Sequence, residues 1–219
     1  MIQHGVSFGD VHSFYDLDLI LAAVNISPAS PKEAYIDIPG ADGSLDMTEA
    51  LGEVKYKDRT ATFTFFMNPG SDLSEAAWEE KKMAVCNRLN GIRCNITLDK
   101  DPDYFWQGRC RVNEHTSAKK LRKFVVAASV APYKLKKDET VYSVSLSESP
   151  SELKLTNGRK TVCPVFECTG AAVLVIGDDT FNISEGTHKV LDIQLHEGTT
   201  TVTVSGTGTL NIKYQEGEL

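Results

Sequence analysis

The sequence predicts a mainly β protein of two domains, residues 1–135 and 136–219, and three observations carry that reading. Short runs that alternate apolar with polar residues recur along the chain, closed off by Gly, Pro, Asn and Asp, which is the period-two signature of half-buried strands. Only one segment, 71–90, shows helical spacing. The charge balance also changes along the chain. Residues 1–137 carry 18 Lys/Arg and 18 Asp/Glu, whereas 138–219 carry 5 and 12, so the whole net charge of −7 lies in the last third. Such a step in composition marks a domain boundary.

In chain order, 17–26 is a long apolar run that fits a strand. Tyr35, Ile36 and Ile38 precede the breaker Pro39-Gly40. Segment 60–67 alternates threonine with aromatics and stops at Asn68-Pro69-Gly70. The helix over 71–90 has Asp72 as its expected cap, with Glu75 three residues on and Gly91 as its left-handed stop. Trp78, Val85 and Leu89 fall on one helical face, which fits a helix covering a sheet. Strands resume at 92–98, 104–112 and 124–130, and the charged, Pro-containing stretch 131–140 reads as a linker.

The second domain has a different rhythm, with strands about every ten residues. Leu153 and Leu155 end at Asn157-Gly158, and 173–176 ends at Gly177-Asp178. Leu191, Ile193 and Leu195 alternate with polar residues, as do Val202 with Val204 and Leu210 with Ile212 and Tyr214. This spacing predicts an antiparallel sandwich or jelly roll without a helix.

Several function classes find no support in the residues. No stretch approaches the ~20 apolar residues of a membrane helix, and no basic-then-apolar leader opens the chain, so synthesis and folding in a cytoplasm are expected. No basic stripe predicts specific nucleic-acid binding. Cys86, Cys94, Cys110, Cys163 and Cys168 contain no C-x-x-C pair and read as reduced thiols. The run Asp99-Lys100-Asp101-Pro102-Asp103 starts like a calcium loop, but Tyr104 and Cys110 occupy the positions where Gly and Glu are required. The histidines His4, His12, His115, His188 and His196 complete no nucleophile or metal motif. The expectation is therefore no enzyme, no catalytic, cofactor-binding or metal residues, and no cofactor.

Three stretches carry a family resemblance: 14–21 (FYDLDLIL), 34–65 (AYIDIPGADGSLDMTEALGEVKYKDRTATFTF) and 98–110 (LDKDPDYFWQGRC), with Ala131-Pro132-Tyr133-Lys134 closing the domain. They resemble the distal tail protein of long-tailed, non-contractile bacteriophages and prophages of Gram-positive bacteria, over about residues 8–135. The resemblance implies an N-terminal, tail-tube-like β-sandwich domain with one helix that closes a hexameric ring. It implies a C-terminal galectin-like β-sandwich carried outside the ring. Its partners would be further copies of itself, the tail tube protein, the tail-associated tip protein and receptor-binding or baseplate proteins, and its place the virion tail tip. No membrane insertion is implied. Galectin-type sugar sites use a tryptophan with His, Asn and Arg. The second domain has no tryptophan and only Arg159, so it departs from that pattern. A carbohydrate-binding module that attaches a particle to the cell wall is the competing reading, and a wall-degrading enzyme lacks its acid/base pair.

Within the densest stretch of the resemblance, Asp37, Ile38, Pro39, Gly40, Asp42, Gly43, Leu45, Met47 and Leu51 form the expected contact with a neighbouring subunit. Pro39 interrupts the strand ladder and Asp42-Gly43 favours a sharp reversal. The apolar residues that follow are costly to leave in water. A simple internal hairpin is the alternative for this segment.

Overall fold

The computed structural model describes residues 5–50, 52–118 and 121–219. It divides into two compact units, Met1–Lys134 and Leu135–Leu219.

Unit 1 contains β1 (Val6–Phe8), β2 (Val11–His12), β3 (Leu19–Ile26), β4 (Tyr35–Asp37), β5 (Ser44–Asp46) and β6 (Arg59–Met67). Helix α1 (Glu75–Leu89) follows, then β7 (Arg93–Leu98), β8 (Asp101–Ala118) and β9 (Leu121–Val130). Seven of these strands form one sheet in the order β2-β1-β7-β8-β9-β6-β3, and β4-β5 stand apart as a two-stranded hairpin. In β6 the alternation predicted for 60–67 is realised. Ala61, Phe63, Phe65 and Met67 are buried, while the threonines between them face outward.

The sheet curls over its own core. Phe8 on β1 meets Phe63 on β6 edge-on at 5.3 Å between ring centroids, although β7, β8 and β9 lie between the two strands in the sheet. Register shifts at Leu21/Ala23, Val112/Glu114 and Ile96/Leu98 supply bends of the kind that allow this curl. Helix α1 plugs the core with the predicted face, Trp78, Val85 and Leu89. Trp78 packs on Phe124 of β9 at 4.8 Å. Arg122, buried, lies over the Trp78 ring and binds both Glu75 and the Leu73 carbonyl, which fastens the start of the helix to β9. The cap is Ser74 rather than Asp72. The Ser74 hydroxyl accepts from the Ala77 N–H, while Asp72 accepts from the Ser74 backbone, so the expected capping residue supports the real one from outside the helix.

The stretch 131–140 was expected to be a plain linker but contains β10 (Lys134–Lys136). It pairs with β18 (Gly217–Glu218), and the Lys136 N–H donates to the Glu216 carbonyl. Unit 2 continues with β11 (Thr140–Leu146), β12 (Ser151–Asn157), β13 (Val165–Cys168), β14 (Ala171–Ile176), β15 (Asp179–Ile183), β16 (Gly186–Lys189) and β17 (Gly198–Tyr214). The pairings among β11 to β17 are antiparallel, and no helix occurs among the described residues of this unit.

β17 organises unit 2. Its first part, near 198–207, pairs with β12 and β14, and its second part, near 208–214, pairs with β11 and β13. What reads in the sequence as two strands is thus one strand that passes from one half-sheet to the other. The apolar ladder Val202, Val204, Leu210, Ile212 and Tyr214 is buried along it. The transition uses Gly206, at φ +137°, where a Cβ would lie 2.0 Å from the Ala171 carbonyl oxygen. The alternating stretch at Leu191, Ile193 and Leu195 is not a strand. It contributes a single bridge, Val162 to Leu195, while Ile193 and Leu195 still reach the core.

Gly206→Ala meets both a forbidden backbone region and a backbone clash. It is expected to lower the stability of the chain by about 2–4 kcal/mol in chemical denaturation. An unchanged denaturation midpoint would show that the bend of β17 tolerates a side chain.

Candidate functional site

The segment 33–50 stands out from both cores. Its β4-β5 ladder pairs Tyr35 with Asp46, Ile36 with Leu45 and Asp37 with Ser44. At the tip, Gly40 and Gly43 take positive φ of 85° and 75°, and the Ala41 N–H donates to the Ile38 carbonyl. The Ser44 hydroxyl donates to Asp37 Oδ1 at 2.6 Å, bracing the turn from inside. At the base, the Met47 N–H donates to the Ala34 carbonyl and the Ala34 N–H to Thr48 Oγ1.

This is a hairpin by its own hydrogen bonds, yet all six of its strand residues are exposed. Tyr35, Ile36, Ile38, Leu45 and Met47 are 57%, 52%, 48%, 49% and 37% exposed. Asp37, Pro39, Gly40, Asp42 and Gly43, the other predicted contact residues, are exposed beside them. Leu51 lies outside the described residues. Three exposed apolar side chains on one small ladder, with Ile38 and Met47 just beyond its strands, are of the kind that marks interaction surfaces.

The arm is also strongly one-signed. Residues 33–50 hold Glu33, Asp37, Asp42, Asp46 and Glu49 and no Lys or Arg. Among the described residues, none of these carboxylates has a cationic partner within ion-pair distance. The resulting field is visible on Tyr35, whose phenol is pushed above its ordinary range by the charge of Asp46 and then of Glu33. Asp46 itself is held below the usual carboxylate range by hydrogen bonds from Thr48.

The other candidate groups are engaged in structure. Asp99 accepts the Gly5 N–H at 2.6 Å and meets the His12 ring at 3.2 Å, and Asp101 pairs with Lys134 at 2.7 Å. Those carboxylates serve a hairpin turn and a strand end. Cys94 and Cys110 approach to 3.9 Å between sulfurs as free thiols, and the hydrogen bond with Cys94, followed by burial, pushes the Cys110 thiol up. No group of three or more His, Cys, Asp or Glu suited to a metal is found among the described residues. In unit 2 the aromatic rings turn inward. Phe166 and Tyr214 are buried, Phe181 packs against the core, and Tyr142 stacks on Tyr214 at an interplanar angle of 12°. None of these rings stands free as a platform for a sugar. Reading along the chain also misses one set of residues, Arg93, Arg109 and Arg111. Strand register brings these together on one exposed face of β7 and β8.

No family model and no curated protein matches the sequence. Among solved structures, the crystal structure of the Dit (gp 19.1) protein of phage SPP1 is similar over 99% of both chains, with a TM-score of 0.72 and 14% sequence identity. That protein is described as a paradigm of the hub adsorption apparatus in phages infecting Gram-positive bacteria. The chain therefore has the Dit-like, mainly β fold. A further match, to a de novo designed double-stranded β-helix, covers 37% of the chain with a TM-score of 0.25 and carries no argument.

Because the arm contributes nothing to either core, Ile38→Ser with Leu45→Ser is expected to leave stability of the isolated chain within about 0.5 kcal/mol, the range of ordinary surface changes. A clear drop in denaturation midpoint would show that the arm packs within its own subunit.

Proposed function

We propose that this chain is a structural subunit of a phage tail tip, in which six copies close a ring joining the tail tube to the host-recognition apparatus. The observation that carries this reading is the likeness to SPP1 Dit, which runs through both units and nearly the full length of each chain. A likeness confined to one sandwich would speak only for a common β architecture. The exposed arm adds support from physical chemistry. Its apolar side chains sit in water at a cost of about 25 cal/mol per Å2 of apolar surface, which a neighbouring subunit would relieve. An arm that reaches from one copy to the next makes a head-to-tail contact, and such contacts repeat until a rotation closes the ring. On this reading the protein acts by position rather than by catalysis. Its neighbours are the tail tube protein, the tail-associated tip protein and receptor-binding or baseplate proteins, and its site of action is the virion tail tip.

A carbohydrate-binding role is the competing reading. It would require an aromatic platform with polar groups around it. The inward packing of Phe166, Tyr142 and Tyr214 favours the structural role.

The test replaces 39–52 with a short Gly/Ser linker and compares native mass with that of the unaltered chain at high protein concentration. The expected result is closed oligomers for the natural sequence and folded monomers with near-normal β content for the variant. Rings of unchanged mass in the variant would place the subunit contact elsewhere. A natural chain that stays monomeric at every concentration would remove the ring reading itself.

A further inference from the structure

The outer face of β7 and β8 bears an unusual set of charges. Arg93 and Arg109 are directly paired across the two strands. Arg111 follows Arg109 on the same face, two residues on, and all three are exposed. Like charges directly opposite on a sheet disfavour the pairing. Among the described residues this is relieved with neutral acceptors. Arg109 Nη1 donates to the Gly91 carbonyl at 2.7 Å, Arg93 to Gln107 Oε1 at 3.3 Å and Arg111 Nε to Asn113 Oδ1 at 2.6 Å. Among the described residues no carboxylate comes within ion-pair distance of any of the three. A guanidinium has five N–H donors in a fork shaped for a carboxylate, so most of this capacity is unspent.

Arg109 and Arg111 help line a groove of about 370 Å3, together with Asn90, Ala127, Ala128 and Ser129. The same molecule carries the matching surface. The arm presents five carboxylates without a cation, together with the exposed side chains of Ile38, Leu45 and Met47. Among the described residues, no ion pair joins the two surfaces within one subunit.

We propose that the β4-β5 arm of one copy docks on the arginine-bearing face of β7-β8 of a second copy. Resting on the ring reading above, this names both halves of the repeating contact. The arm carboxylates take the free N–H forks of Arg93, Arg109 and Arg111, and an apolar side chain from the arm enters the groove beside them. Charge complementarity of this kind sets register and speeds encounter. It also makes assembly sensitive to salt, because partly exposed charges are screened within about 8 Å at physiological ionic strength.

The experiment reverses charge on each half separately. Arg109→Glu with Arg111→Glu alters only the acceptor face, and Asp42→Arg with Glu49→Arg alters only the arm. All four positions are exposed, so each full-length variant is expected to keep its circular dichroism and thermal midpoint. Each alone is expected to lose rings, with at least a tenfold rise in the concentration needed for assembly. Mixing the two variants in equal amounts restores every contact in alternation, and rings are expected to return. Rings unaffected by Arg109→Glu with Arg111→Glu, while the natural chain assembles, would overturn this docking and leave the ring reading standing. Failure of the mixture to recover assembly would likewise overturn it. Unchanged rings combined with lost retention on a DNA column would assign the arginines to nucleic acid instead. A natural chain that never assembles would instead remove the ring reading on which the docking rests.

Discussion

A β-sheet can bury one face only if something closes over it, and the two units meet that constraint differently. In unit 1 the sheet curls until Phe8 reaches Phe63, and the helix seals the gap with Trp78. In unit 2 a single long strand, β17, serves both half-sheets and bends at Gly206, where no side chain fits. Both solutions leave compact cores. Neither core includes residues of the β4-β5 arm, whose strand residues are all exposed. Its apolar residues Ile36, Ile38, Leu45 and Met47 stay exposed, which is the ground for the proposed contact with a neighbouring copy.

Much of this was legible in the sequence because alternation reports a local property. The threonine–aromatic pattern of 60–67 predicts which residues of β6 enter the core, and the Trp78, Val85 and Leu89 stripe predicts the buried face of the helix. The errors share a cause. Ser74 replaces Asp72 as cap because the two residues cooperate, and spacing alone does not show which one adopts the cap geometry. β10 was missed because three residues flanked by charges carry no periodicity, and it exists through its pairing with β18. The stretch around Leu191, Ile193 and Leu195 has the pattern of a strand but lacks a continuous ladder partner, so it packs as irregular chain.

The proposed assembly surface was legible only in half. The arm announces itself through Pro39-Gly40, Asp42-Gly43 and the acids around them, all close in sequence. The arginine face does not, because Arg93 and Arg109 are sixteen residues apart in the chain and meet only through the register of β7 and β8. A chain without a basic run can still present a concentrated basic face once strands align. The likeness to SPP1 Dit at 14% identity fits the same logic, since a fold set by alternation and turns outlasts most of its residues.

Cryo-electron microscopy of the purified full-length protein at assembling concentration tests the central claim most directly. The account predicts closed rings of six subunits, with the hairpin of each lying across β7 and β8 of the next and its carboxylates against Arg93, Arg109 and Arg111. Discrete monomers at all concentrations, or rings whose hairpins extend freely into solvent, would contradict it.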